Sequence, residues 1–394
     1  MGRVIARGRC ETRRLMPEPV IPFNRPLFLP HGLAYAREAF ERYHVSGNGM
    51  FTKRCQEFFE QRLGAGKVLL TTSCTDALEM CALLLDLQPG DEAVMPAFTF
   101  VSTANAFALR GARPVFVDIR PDTLNLDEGR LEQAITPRTK AIVVVHYAGV
   151  GCAMDAICAI AARHRLPVVE DNAHGLFGSY QGQALGSFGQ LSTLSFHETK
   201  NLSCGEGGAL VINDPRFTAR AEMLWEKGTD RGRFFRGEVD KYTWRDIGSS
   251  FLPSDILAAL LWAQIESAET IQAKRRAIHE RYERSLRPWA LAQGVALPVV
   301  PDACGSSHHM FHLLLPAAPL QSVFIRHLQA RGVNAVFHYQ PLHLTPMGLK
   351  FGGRAGQYPV TEVTADRLVR LPFYFDLDEA GQNRVIEAVS SFVC

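Results

Sequence analysis

Four short stretches hold residues whose types and spacing could do chemistry. The first is Ser195-Phe196-His197-Glu198-Thr199-Lys200-Asn201, followed by Cys204-Gly205-Glu206-Gly207-Gly208. Lys200 reads equally well as a surface lysine. In a dry pocket its pKa would fall from about 10.4, and the neutral amine could then attack a carbonyl. The glycines after it would let the backbone pass close to a bound group. The second stretch is Val168-Val169-Glu170-Asp171-Asn172-Ala173-His174-Gly175. An acid at the end of a buried strand is costly unless something meets it. A turn cap would serve, and so would a pyridinium nitrogen, which Asp171 would keep protonated and electron-withdrawing. His174 could reach a phenolic oxygen on the same ring, or be a satisfied structural residue.

The third stretch, Ser73-Cys74-Thr75-Asp76-Ala77-Leu78, opens a helix. Free N–H groups and the helix dipole suit a phosphate there, with Thr75 adding a hydroxyl, although an ordinary N-cap has the same sequence. The fourth, Phe98-Thr99-Phe100, offers aromatic faces for a flat ring or for core packing. Taken singly, each has an unremarkable reading. Together, and in this chain order, they supply a phosphate cradle, a ring stack, a pyridine partner and a Schiff-base lysine, the parts that pyridoxal phosphate (PLP) requires.

Such residues need a scaffold, and the pattern around them supplies one. Short apolar runs at 67–70, 92–95, 114–117, 141–146, 167–170, 193–196 and 208–212 read as buried strands, with helical spacing at 75–87 and 154–165. Continuous apolar strands alternating with helices predict an α/β fold with a mainly parallel sheet covered on both faces. Ligands bind outside the carboxyl ends of such strands, where all four stretches fall. A long helical stretch over 254–285, broken by Pro288, leads into a smaller C-terminal α/β unit. That unit has strands at 311–315 and 334–338 and helices at 320–331 and 379–392. The expected division is a disordered extension over 1–20, a large domain over 21–265 and a small domain over 266–394.

Bulk properties exclude several classes. The 394 residues are 47% hydrophobic and 21% charged, with a net charge of +2, which gives no electrostatic reason to expect nucleic-acid binding. Nine cysteines lack any C-x-x-C pair, so reduced thiols in a cytoplasmic protein are expected, with no metal site. No apolar run is long enough to insert in a membrane, and the basic N-terminus lacks the apolar stretch of a signal peptide.

Over about residues 21–390 the chain resembles the DegT/StrS sugar-nucleotide aminotransferases of PLP fold type I. The matching stretches are SCTDAL (73–78), PAFTFVSTANAF (96–107), VFVDIRPDTLNLD (115–127), VVEDNAHG (168–175), SFHETKN (195–201) and GEGGAL (205–210). The resemblance implies that Lys200 is the Schiff-base lysine, that Asp171 pairs with the pyridine nitrogen and that Phe100 stacks on the ring. It implies further that Thr75, the Asp76 backbone N–H and Ser195 hold the phosphate. His174 stands where many members have Gln, which leaves its charge state open. Ser250 stands where many have an Asn that reaches the phosphate of the partner subunit, so a homodimer with shared active sites is implied.

Two segments, RGRFFRGEVDKYTWRDIGSSFLPSD (231–255) and FHYQPLH (337–343), are similar to a subgroup that makes dTDP-4-amino-4,6-dideoxygalactose for enterobacterial common antigen. That likeness implies dTDP-4-keto-6-deoxyglucose and L-glutamate as substrates. Arg231, Arg233 and Arg236 could then meet the nucleotide diphosphate, or lie in a solvated loop, and His338, Tyr339 and His343 could line the sugar site. Lys200 argues against the sugar-dehydrating relatives that carry His at that position. The 4-amino gluco epimer, another keto sugar nucleotide and a non-catalytic PLP-binding regulator stand as alternatives.

Overall fold

A computed structural model of the protein describes residues 19–394. The expected disordered extension lies outside them, apart from exposed residues 19 and 20, which lead into Ile21. Two helices not evident from periodicity come first, α1 (Pro30–Glu41) and α2 (Met50–Leu63).

Seven strands then form the main sheet: β1 (Lys67–Thr71), β2 (Glu92–Pro96), β3 (Arg113–Val117), β4 (Thr139–Val145), β5 (Val168–Asp171), β6 (Leu191–Ser195) and β7 (Gly208–Ile212). Their spatial order is β1-β7-β6-β5-β4-β2-β3. Neighbours from β6 to β3 pair in parallel, whereas β7 runs antiparallel to both β6 and β1. Six strands therefore point the same way, and their carboxyl ends share one edge. Side chains alternate across the sheet, so Val143 and Val169 enter one core with Leu78, Met80 and Phe107, while Ile142 and Val144 enter another with Ile157 and Leu185. Both faces are thus buried, which is why the strands read as unbroken apolar runs. Helices α3 (Cys74–Leu84), α4 (Val101–Ala108) and α5 (Met154–His164) return the chain between strands.

The long helical stretch is two helices, α6 (Asp255–Glu266) and α7 (Ala268–Gln293). The break falls at Ser267 (φ −100°, ψ 7°), and Pro288 sits inside α7 instead of ending it. A proline within a helix costs about 3 kcal/mol through its missing N–H and its ring clash. Burial around it offsets that cost: Leu286 and Ala290 lie in the C-terminal core, and the Trp289 indole donates to the Phe392 carbonyl at 2.8 Å.

That second core is built on β8 (His312–Leu314), β9 (Val336–Phe337) and β10 (Leu368–Arg370), with β10 central and antiparallel to both neighbours. Helices α8 (Leu320–Ala330) and α9 (Glu379–Ser390) pack with α7 around it, and Ile21 joins the same cluster while bridging Val333.

Candidate active site

The carboxyl edge of the sheet opens onto a cavity of about 600 Å³. Asp171 ends β5, Ser195 ends β6, β1 leads into α3, and β2 leads to Phe100 at the start of α4, so topology alone gathers the four stretches. Thr75, Phe100, Asp171, His174, Ser195 and Lys200 all line the cavity, as do His338 and Tyr339 from the C-terminal unit.

The strand's alternation resolves the two adjacent acids. Glu170 faces away from the cavity and accepts from the backbone N–H groups of Gly186, Phe188 and Gly189 at 2.7–2.8 Å, and it pairs with buried His146 at 2.8 Å. Asp171 faces the cavity. Its Oδ2 accepts from Thr103 Oγ1 at 2.7 Å, and Thr103 is in turn linked to Thr99 at 2.8 Å. Oδ1 accepts from the Ala173 N–H at 3.2 Å.

Lys200 follows in a turn closed by its own N–H to the His197 carbonyl at 2.9 Å. Withdrawal from water lowers its pKa from 10.5 to about 8, with Cys74 and Asp171 pushing it back up and Arg370 pushing it further down. A lysine so placed is neutral often enough near pH 8 to attack a carbonyl.

His174 is buried, with its ring stacked on His309 at 4.3 Å and 14°. Burial holds its pKa well below the usual imidazole range, and the charges of Lys200 and Arg370 add to the effect, so the ring is neutral. Its Nδ1 has no partner among the described residues. His309 is itself fixed by Asn201, whose Oδ1 lies 2.9 Å from His309 Nδ1.

At the start of α3 the Ser73 hydroxyl caps the helix by accepting from the Asp76 N–H at 3.0 Å, so that N–H is already occupied within this chain. The Asp76 carboxylate accepts from the Thr72 hydroxyl, and Thr75 Oγ1 meets Ser102 Oγ at 2.8 Å. Gly208 lets β7 pass against this turn, since a Cβ there would lie 2.3 Å from Cys74 N and 2.4 Å from Ser73 C. Phe100 stands 55% exposed at the mouth, with its ring face available.

Other residues singled out in the sequence lie elsewhere. His343 is fully buried and bonded to Glu362 at 2.9 Å, so it is a structural contact of the C-terminal unit and does not line the cavity. Arg231 lies 3.9 Å from Glu226, Arg233 pairs with Glu238 at 3.0 Å, and Arg236 pairs with Glu222 and Glu238 at 3.0 and 2.6 Å. These arginines and the exposed Ser250, which bridges Glu226, are absent from the lining of this chain's own cavity. Conversely, Thr103, Asn201, His309 and Arg370 belong to the site or support it without having been assigned a part in it. Thr103 lies three residues after Phe100, one helical turn along, and that spacing was the available signal. His309 and Arg370 come from more than a hundred residues further on, where nothing local marks them.

A profile of the DegT/DnrJ/EryC1/StrS aminotransferase family matches residues 32–390. The chain belongs to this family. SpsC of Bacillus subtilis, a spore coat polysaccharide biosynthesis protein, is 32% identical over 95% of this chain and 97% of its own. The aminotransferase TlmJ of Streptoalloteichus hindustanus superposes with a TM-score of 0.86 at 32% identity, covering 94% of this chain and 98% of its own. Spr1654 of Streptococcus pneumoniae, solved in PLP and PMP forms, gives a TM-score of 0.87 at 25% identity for the PMP form, covering 94% and 97%.

This family member is a PLP-dependent sugar aminotransferase, and its site fits the cofactor. The orphaned His174 Nδ1, the Asp171 carboxylate braced by Thr103 and the water-poor Lys200 are the donor and acceptor set that a phenolate, a pyridinium nitrogen and an aldehyde call for. Among the described residues no group of His, Cys, Asp and Glu could hold a metal, and no helix is long and apolar enough to cross a membrane.

Proposed function

We propose that this aminotransferase moves the amino group of L-glutamate to C4 of dTDP-4-keto-6-deoxyglucose, giving dTDP-4-amino-4,6-dideoxygalactose for surface glycan synthesis. The observation that carries the chemistry is Lys200, withdrawn from water in a cavity it shares with Asp171. Bound PLP supplies an electron-withdrawing ring that stabilises negative charge beside the amino carbon. Asp171 keeps the proton on the ring nitrogen, and Thr103 holds that carboxylate in place. Lys200 would hold the cofactor and would move the proton at the amino carbon of the substrate. His174, neutral, donates a hydrogen bond to the phenolic oxygen. Thr75 and Ser195 bind the phosphate, and Phe100 covers the ring.

The choice of sugar rests on the likeness of segments 231–255 and 337–343 to one subgroup. His338 and Tyr339 on the cavity wall suit a polar ring, and His338 Nδ1 is already tied to the Tyr147 hydroxyl at 2.9 Å. We read the enzyme as a cytoplasmic homodimer with hinged domains over 21–265 and 266–394. The described cysteines are all free, as a reducing compartment would leave them. Exposed Phe235 and Trp244 beside Arg231, Arg233, Arg236 and Ser250 suit a partner subunit, whose site those residues would complete. Lys200→Ala should abolish turnover together with the visible absorbance of lysine-bound PLP, and an active variant would refute the assignment. NMR coupling constants of the product from dTDP-4-keto-6-deoxyglucose decide the sugar. A small H3–H4 coupling is expected for the axial galacto amine. A large one would mean the gluco epimer, and no product would mean another sugar.

A further inference from the structure

Among the described residues, only two lysine or arginine side chains line the cavity, Lys200 and Arg370. Lys200 is committed to the cofactor. Arg370 ends β10, lying opposite His312 on one neighbouring strand and Val336 on the other. Its guanidinium makes neither an ion pair nor a side-chain hydrogen bond among the described residues, and its Nε is buried without a partner. The ring of Phe23 lies under it at 4.7 Å, which steadies a cation without neutralising it. The two acids on the cavity wall are spoken for or distant: Asp171 is held by Thr103, and Glu206 stands 3.7 Å from His197. Tyr147 and Tyr339, whose fields reach Arg370, have their phenols pushed up by burial and carry no charge.

A permanent cation kept partly out of water with no counter-charge is costly unless an anion arrives to meet it. The planar fork of a guanidinium fits a carboxylate in bidentate fashion. On the reading above, Thr75 and Ser195 take the cofactor phosphate on another wall, so the anion for Arg370 is a different one. We infer that Arg370 anchors a carboxylate of the amino donor, on the reading above that this cavity takes L-glutamate. Sitting in the C-terminal unit while the cofactor residues sit on the main sheet, it would also draw the two units together around the donor.

The test uses the PLP-loaded enzyme and its Arg370→Met and Arg370→Lys variants. Calorimetric binding of glutarate, a dicarboxylate with no amine to react, should be lost in Arg370→Met and weakened in Arg370→Lys. The glutamate concentration that half-saturates conversion of the cofactor should rise on the order of 100-fold in Arg370→Met. The rate at saturation should change far less, and half-saturation by the sugar nucleotide should stay within about threefold. Unchanged glutarate and glutamate binding in Arg370→Met would overturn the inference. So would a rise confined to the sugar nucleotide, which would put Arg370 on its diphosphate, or failure of Arg370→Met to take up PLP. A wild-type chain with no lysine-bound PLP absorbance would refute the cofactor reading instead. Loss of glutarate binding in Arg370→Met would still support the carboxylate anchor in that case.

Discussion

The depressed pKa of Lys200 has a measurable consequence in the rate at which cofactor-free enzyme captures PLP. Only the neutral amine attacks the aldehyde, so the rate follows the neutral fraction of Lys200. With a pKa of about 8, roughly 9% is neutral at pH 7 and about 91% at pH 9, whereas a lysine at 10.5 would be about 0.03% neutral at pH 7. Burial therefore raises the neutral fraction at neutral pH about 300-fold, and the capture rate should climb tenfold per pH unit only up to about pH 8 before levelling. Stopped-flow absorbance at PLP concentrations well below saturation reads this directly, with free 6-aminohexanoate correcting for the titration of PLP itself. Two variants fix the sign. Asp171 raises the lysine's pKa, so Asp171→Asn should move the break below 8, and Arg370 lowers it, so Arg370→Met should move the break above 8. A wild-type rate still rising tenfold per unit between about pH 8.5 and 10 would refute the reasoning, as would both variants shifting the break the same way.

Thr103→Val removes the 2.7 Å donor to Asp171, and turnover at saturating substrate should fall about tenfold, with Thr103→Ser close to wild type. Gly208→Ala would set a methyl group 2.3–2.4 Å from backbone atoms of Ser73 and Cys74, so at least about 3 kcal/mol of stability and most PLP affinity should be lost, as thermal melting with and without cofactor would show. Glu170→Gln would turn an amide N–H₂ toward donors that now meet a carboxylate, costing about 3 kcal/mol in urea unfolding, and a stability equal to wild type would contradict the pairing described for the far face of β5.

The sequence by itself determined the strands of the main sheet and the chemistry at their ends. Buried parallel strands must be apolar throughout, so a polar residue at a strand end, such as Asp171 or Ser195, stands out against its neighbours. The same locality made Thr75 legible, because a helix start has its own residue preferences. Locality also set the errors. Pro288 reads as a break when only propensity is weighed, yet Leu286, Trp289 and Ala290 pack into a core whose other walls lie elsewhere in the chain. His343 sits in a histidine-rich stretch that points to a ligand, and only the fold shows it turned to Glu362 while His338, five residues earlier, faces the cavity. Strand alternation turns Asp171 toward the cavity and Glu170 to the far face of the sheet. The site's remaining charge, Arg370, lies 170 positions beyond Lys200 in sequence and meets it only because the C-terminal unit folds over the carboxyl edge of the sheet. No local pattern encodes that meeting, since it depends on how two separately packed cores face one another.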